Sequence, residues 1–324
     1  MSSSRWHSSK VVVVGGHGFI GSHFVHQLAR LGASVVVLYR TERRGPLSSL
    51  SRGTHRVESC QVDLLDSGAF AGICQPAVQG ADVLICCAGL DGNADFKTRH
   101  AATILDTNLR ITSNVLNCAL AAGIRDVVLV SSAEVYSREA ANPVSEEDDY
   151  ETRLDGTGNG YVMSKIFAEV LGRAYREQYG LRVYCPRPTN VYGPGDYTGP
   201  TASRVIPSMI ERALAGSDIE IWGDGNQIRS FMYVDDMVRS VLAMIRHGVE
   251  GALNVGTREQ VSMLEVAGLV FRIFGGTGRI SWQAAKPSGV GARVLDVSKL
   301  YSIIGFEPRP LATGLEEMAR SRRK

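Results

Sequence analysis

Tyr161 and Lys165 stand four residues apart in Gly160-Tyr161-Val162-Met163-Ser164-Lys165, a stretch that reads as helix. At that spacing the phenol and the ammonium face the same way. A cation at such range favours the ionised phenol, and moving a phenol from a pKa of about 10 to about 7 stabilises the anion by roughly 4 kcal/mol. A tyrosine tuned in this way exchanges a proton with a sugar hydroxyl or ketone near neutral pH. Alone the pair is weak evidence, because a surface tyrosine beside a surface lysine has the same spacing.

Upstream, Ser131-Ser132-Ala133-Glu134-Val135-Tyr136 follows a strand and lies on the carboxyl edge of the expected sheet, where open α/β sheets bind ligands. A Ser132 hydroxyl there can hydrogen-bond the oxygen that Tyr161 protonates, so Ser132, Tyr161 and Lys165 form a proton-transfer set. Near the N-terminus, Gly15-Gly16-His17-Gly18-Phe19-Ile20-Gly21 satisfies both Gly16-x-Gly18-x-x-Gly21 and Gly15-x-x-Gly18-x-x-Gly21. Glycines at this spacing allow a tight turn, close approach of a pyrophosphate, and a helix N-terminus aimed at the phosphates, which points to a dinucleotide. The second strand ends in Leu38-Tyr39-Arg40-Thr41-Glu42-Arg43-Arg44. Arg40 and Arg43 can pair with a 2′-phosphate where an acidic residue would hold ribose hydroxyls, so NADP(H) is favoured, with NAD the alternative. Asp63, after the third strand, reads either as an adenine contact or as an ordinary turn residue.

The elements that must position these groups alternate. Lys10 to Val14 is a strand, helical spacing of Ile20, Phe24, Leu28 and Leu31 follows, and Ser34 to Leu38 is a second strand. Strands at about 57–62, 82–87 and 127–131 and helices at about 103–122 and 161–179 continue the pattern to a strand at 182–185, after which proline and glycine end it. The expected fold is α/β, a doubly wound parallel Rossmann sheet over 10–185 with part of 231–255 returning to it, and a smaller C-terminal substrate domain from 186–230 and 256–324.

Composition narrows the class. With 324 residues, 44% hydrophobic and 21% charged, the chain can bury an ample core, and a formal net charge of +2 gives no reason to expect nucleic acid. No apolar run approaches the roughly 20 residues of a membrane helix, and residues 1–10 read as a frayed polar tail without a signal-peptide core, so a soluble, cytoplasmic protein is expected. The six cysteines lack C-x-x-C spacing and the seven histidines lack H-x-x-x-H, so neither a metal nor a disulfide framework is expected. The acidic run Glu146-Glu147-Asp148-Asp149 reads as a solvated loop.

Together, the Gly15 turn, Asp63, Asn108, Ser132, Tyr161, Lys165, Pro188-Thr189-Asn190-Val191-Tyr192-Gly193-Pro194 and Ile221-Trp222-Gly223-Asp224-Gly225 resemble the extended short-chain dehydrogenase/reductases of the nucleotide-sugar epimerase/dehydratase family over nearly the whole length. Within it, Arg204-Val205-Ile206-Pro207, Arg229-Ser230-Phe231 and Lys286-Pro287-Ser288-Gly289 are most similar to GDP-fucose synthase, an NADPH-dependent epimerase-reductase. The resemblance implies cofactor contacts from Gly15, Gly18, Phe19, Ile20, Gly21, Asp63, Leu64, Ala88, Asn108, Lys165 and Pro188. For a nucleotide-diphosphate sugar it implies contacts from Asn190, Arg204, Val205, Arg212, Trp222, Arg229 and Lys286. It also implies a homodimer built on the two long helices.

The departures are at the epimerising pair. That synthase places a cysteine two residues after the catalytic serine and a histidine before the Val-Ile-Pro; here those positions hold Glu134 and Arg204. A glutamate can remove a proton, whereas an arginine is effectively always protonated. Glu134 is therefore a candidate catalytic group, and three readings stand. The first is NADPH-dependent reduction of a 4-keto group on a GDP-linked deoxy sugar, with an epimerising step through Glu134 as an option. The second is a redox-neutral epimerase or dehydratase with retained NAD(P), and the third is a cofactor-sensing binding protein.

Overall fold

Val11, Val12, Val13 and Val14 are all fully buried, which requires cover on both faces of their strand, and a parallel sheet between two helical layers supplies it. The computed structural model describes residues 5–41, 56–66, 68, 76–137, 140–148, 159–196, 204–283 and 291–322. The strands in chain order are β1 (Lys10–Val14), β2 (Ser34–Tyr39), β3 (Val57–Gln61), β4 (Val83–Cys86), β5 (Asp126–Leu129), β6 (Arg182–Pro188), β7 (Asn190–Tyr192), β8 (Ile219–Trp222), β9 (Ile228–Arg229), β10 (Phe231–Tyr233), β11 (Gly251–Val255), β12 (Val261–Ser262), β13 (Ile280–Gln283) and β14 (Ala292–Arg293). The helices are α1 (Phe19–Arg30), α2 (Ala94–Arg99), α3 (Ala101–Ala121), α4 (Gly160–Tyr179), α5 (Val205–Leu214), α6 (Val234–Arg246), α7 (Met263–Phe274), α8 (Ser298–Tyr301) and α9 (Leu311–Arg322).

Seven strands form one parallel sheet in the order β11-β6-β5-β4-β1-β2-β3. The strand order reverses at β1 and β4, so their carboxyl ends open a crevice for ligands. Because side chains alternate along a strand, Val11 and Val13 join Phe24 and Leu28 of α1 and Val238 and Val241 of α6 in one core. Val12 and Val14 join Val115 and Leu116 of α3 in the other. A third core gathers Ile206 and Ile210 of α5, Ile221 of β8, Val266 and Val270 of α7, and Leu311 and Leu315 of α9. Three small sheets, β10-β7, β12-β9-β14 and β13-β8, flank it. No described helix is long and apolar enough to cross a membrane.

Three expectations change. The polar start is not frayed where it is described: Trp6 is 4% exposed, Arg5 pairs with Asp126 at 3.0 Å, and Ser34 N donates to Ser9 O. An indole that enters the core and a guanidinium that finds a buried carboxylate outweigh the polar composition. The strand expected to stop at Cys185 continues through two prolines to Pro188. Pro186 faces the β5 side, where its carbonyl accepts from Ser131 N, yet β5 pairing ends at Val128 opposite Tyr184. The missing proline N–H costs the rung to the Leu129 carbonyl, and the next rung, from Ser131 N, still forms. The acidic run is only partly a solvated loop, since Glu146 Oε1 accepts from Asn254 N at 2.8 Å.

Behind the carboxyl edge, Glu169 of α4 and Arg187 of β6 form a buried pair, with Nη2 to Oε2 at 2.6 Å and Nε to Oε1 at 3.0 Å. Side-chain exposures of 3% and 5% leave no water to replace either partner. Glu169→Gln should therefore lower stability to urea by about 3–5 kcal/mol, as expected for an uncompensated buried charge; a loss below about 1 kcal/mol would show that the pair does not hold these elements.

Candidate active site

At the first turn, Gly15 has φ +77°, and a Cβ built there would lie 2.9 Å from Ala88 N. Only glycine fits that conformation and that gap. The first turn of α1 carries no side-chain cap, so the N–H groups of its opening residues Phe19, Ile20 and Gly21 form an anion-ready end. Both features fit a dinucleotide pyrophosphate. Towards the adenosine side, Arg40 is exposed at the end of β2, and His17 stacks on Tyr39 with centroids 4.2 Å apart. Asp63 Oδ1 accepts from Leu65 N at 2.9 Å, a local turn, and Leu64 is buried. Asn108 sits one layer back, where its side chain accepts from Leu90 N and donates to Leu90 O and Ser164 Oγ. It therefore anchors the loop after β4 to α3 and α4, rather than facing the cleft. Arg43 lies outside the described residues.

Past this turn the crevice widens into a cleft of about 560 Å³ that brings Ile20, Ala88, Ser132, Glu134, Tyr161, Lys165 and Pro188 together. Tyr161 is the first-turn residue of α4, whose cap Asn159 accepts from the backbone N–H of Tyr161 and Val162. Ser132 caps the 3₁₀ turn Ala133–Val135, and its hydroxyl lies in the same cleft as the Tyr161 phenol, whose ionised form it favours. The serine and the tyrosine thus meet as the spacing argument requires.

The lysine does not act on the phenol as expected. Lys165 Nζ donates to Val130 O at 2.7 Å and stands 5.7 Å from the Tyr161 ring centroid. Burial holds the Tyr161 phenol well above its ordinary value, the carboxylates of Asp91 and Glu134 add to that, and the Ser132 hydroxyl and Arg204 only partly oppose it. Burial likewise pushes the Lys165 ammonium down, against Asp91 and Glu169. The neighbouring Cys86 and Cys87 thiols are themselves pushed up by burial, so they carry no charge to support it at neutral pH. Tyr161 in this arrangement is an acid that keeps its proton.

Two residues that the sequence reading missed complete the cleft. Lys97 of α2 reaches in from the loop after β4, with Nζ 2.9 Å and 3.1 Å from the Glu134 oxygens, 3.2 Å from Asp91 Oδ1, and 3.9 Å from the Tyr161 ring centroid. Its position after a strand's carboxyl end was the one available signal. Arg293 of β14 lies beside Arg229 of β9 in register, and both line the cleft. No spacing in the sequence links them. Two adjacent guanidiniums suit a diphosphate. Asn190, Arg204 and Val205 also line the cleft, Asn190 donating to Ser230 O, and Arg204 pairing with Asp196 at 3.4 Å and Asp91 at 3.8 Å. Arg212 and Trp222 are not among the lining residues: Arg212 binds Glu220 and the Asp218 carbonyl, and Trp222 is an exposed end of β8. Lys286 lies outside the described residues.

The model of the NAD dependent epimerase/dehydratase family matches residues 11–256. The chain belongs to that family. As an NAD(P)-dependent epimerase/dehydratase family enzyme, it is 45% identical over 320 residues to a dTDP-4-dehydro-6-deoxy-D-allose reductase of a Streptomyces species, covering 99% of this chain and 98% of the relative. It is 31% identical to a probable GDP-L-fucose synthase of Oryza sativa subsp. japonica, covering 95% of this chain and 90% of that one. Its fold superposes with TM-score 0.81 on the dTDP-glucose 4,6-dehydratase DesIV from Streptomyces venezuelae with NAD and TYD bound, at 27% identity and 97% coverage of both chains.

An ultraviolet difference titration of the family enzyme against Tyr161→Phe should show no Tyr161 phenolate at about pH 9, because a phenol raised above its usual value of about 10 keeps its proton there. Phenolate already present at about pH 7–8 would mean that Lys165 dominates after all.

Proposed function

We propose that this enzyme reduces the C4 ketone of a dTDP-linked 6-deoxy sugar with NADPH. What most supports the reading is the state built around Tyr161: a buried phenol kept protonated by burial and two carboxylates, sharing its cleft with the Ser132 hydroxyl at the end of a dinucleotide crevice. The nicotinamide, when bound, supplies the hydride to C4. Tyr161 gives its proton to O4 as charge develops there, and the Ser132 hydroxyl orients the same oxygen. Lys165 offers a buried ammonium to the phenolate left behind, and Asn190, Arg229 and Arg293 hold the diphosphate and sugar. Arg204, at the second position where an epimerising acid is needed, is paired with two carboxylates and does not give up its protons.

The nucleotide is dTDP in this reading, in place of the GDP expected from sequence, because the relatives at 44–45% identity are named for a dTDP sugar and the GDP-L-fucose synthases stand lower. NADP(H) is favoured over NAD by Arg40 at the end of β2. Exposed Leu120 of α3 and Phe167 and Val170 of α4 support a homodimer through those helices.

The test is spectrophotometric. NADPH should be oxidised on addition of dTDP-4-dehydro-6-deoxy-D-allose, and Tyr161→Phe should lower kcat by about 10²- to 10⁴-fold while NADPH still binds. Retained NAD with no net oxidation, or intact turnover in Tyr161→Phe, would sink the proposal. Arg40→Ala should raise KM for NADPH about 10-fold or more and leave that for NADH nearly unchanged, since a charge-assisted hydrogen bond contributes about 1.5–3 kcal/mol.

A further inference from the structure

Five charged groups of alternating sign cross the lip of the cleft. Asp196 pairs with Arg204 at 3.4 Å, Arg204 with Asp91 at 3.8 Å, Asp91 with Lys97 at 3.2 Å, and Lys97 with Glu134 at 2.9 Å. Glu134 ends the row, and both its oxygens accept from the Lys97 ammonium. Lys97 is placed firmly: its side chain is 13% exposed and lies against the face of the Tyr161 ring. Its helix is capped by Asn93, whose side chain accepts from Phe96 N at 2.9 Å.

From this geometry we infer that Lys97 is the positioning residue that confines the site to reduction. By engaging both Glu134 oxygens it presents that carboxylate to the sugar as a hydrogen-bond acceptor and prevents it from acting as a base on carbon. The inference rests on the 4-keto-sugar reading. A ketone at C4 makes the C3–H and C5–H bonds acidic. For epimerisation, Glu134 would take one of these protons, the C–H electron pair would form the carbon–carbon double bond of an enolate, and O4 would carry the charge. Such a proton transfer neutralises Glu134 and leaves the Lys97 ammonium, on an aromatic face and largely out of water, with Asp91 alone. A cation with little access to solvent resists losing a partner in this way. Without Lys97, Glu134 is an ordinary half-exposed carboxylate within the same cleft, and nothing opposes the transfer.

Deuterium reads this step directly. Enzyme saturated with NADP⁺, which cannot reduce the sugar, is incubated with dTDP-4-dehydro-6-deoxy-D-allose in D₂O, and loss of the C3 and C5 proton signals is followed by NMR. Wild type and Lys97→Arg should exchange at the no-enzyme rate. Lys97→Met should exchange at least 10-fold faster, and Lys97→Met combined with Glu134→Gln should return to background. Lys97→Gln serves as the second neutral variant if Lys97→Met does not bind NADPH. Wild-type exchange as fast as its own reduction overturns the inference, as does a neutral variant that binds NADPH like wild type yet exchanges no faster. These failures are separate from failure of the reductase reading, which shows as no NADPH oxidation by wild type with any 4-keto sugar nucleotide.

Discussion

The buried pair of Glu169 and Arg187 sets the register of everything that faces the cleft. Glu169 lies two helical turns below Tyr161 on the same face of α4, and Arg187 directly precedes the Pro188-Thr189-Asn190 segment. Ser131, the neighbour of Ser132, donates its hydroxyl to the same carboxylate. Arg187 also donates to the Tyr136 phenol at 2.9 Å, and that phenol donates to Asn254 Oδ1 at 2.6 Å on β11. Taking two charges out of water is costly, and only near-complete hydrogen bonding offsets it. The network meets that condition, and in doing so ties α4, β6, β11 and the segment after β5 in one arrangement. Shifting α4, β6 or the segment after β5 leaves a buried ion short of a partner, and shifting β11 leaves the Tyr136 phenol without its acceptor.

Above that network, the cleft is governed by a balance of charge around one phenol. Asp91 and Glu134 work with burial to keep Tyr161 protonated, while Arg204 opposes them. Lys97 sits between the two carboxylates and on the ring itself. A group meant to deliver a proton to a developing alkoxide has to arrive with that proton bound and then tolerate losing it. Burial and carboxylates secure the first condition, and nearby ammonium groups ease the second. The position where the sequence resemblance expects a cysteine here holds a carboxylate with a cation already attached.

Much of this was legible in the chain. The glycine spacing at Gly15 marked a tight turn, Lys10 to Val14 read as a strand, and the helix expected at about 161–179 runs from Gly160 to Tyr179, because each is a matter of local geometry read over a few residues. Other features were hidden by composition or position. A polar start concealed Trp6, which is a core residue, and Pro186 hid the last three residues of β6, because a proline reads as a strand end although its carbonyl still pairs with Ser131 N.

By itself the sequence determined the fold class, the crevice for a dinucleotide, and the meeting of Ser132 with Tyr161, since period, turn chemistry and strand ends act through covalent neighbours. The tertiary structure alone decided the sign of the electrostatics at Tyr161 and the pairing of Arg229 with Arg293. Lys165, four residues away along the helix, turns to a carbonyl of β5's extension, whereas Asp91 with Lys97, Glu134, and Arg204 arrive from three separate segments to surround the ring. Coulomb energy depends on separation in space and on burial, and neither is a function of separation along the chain.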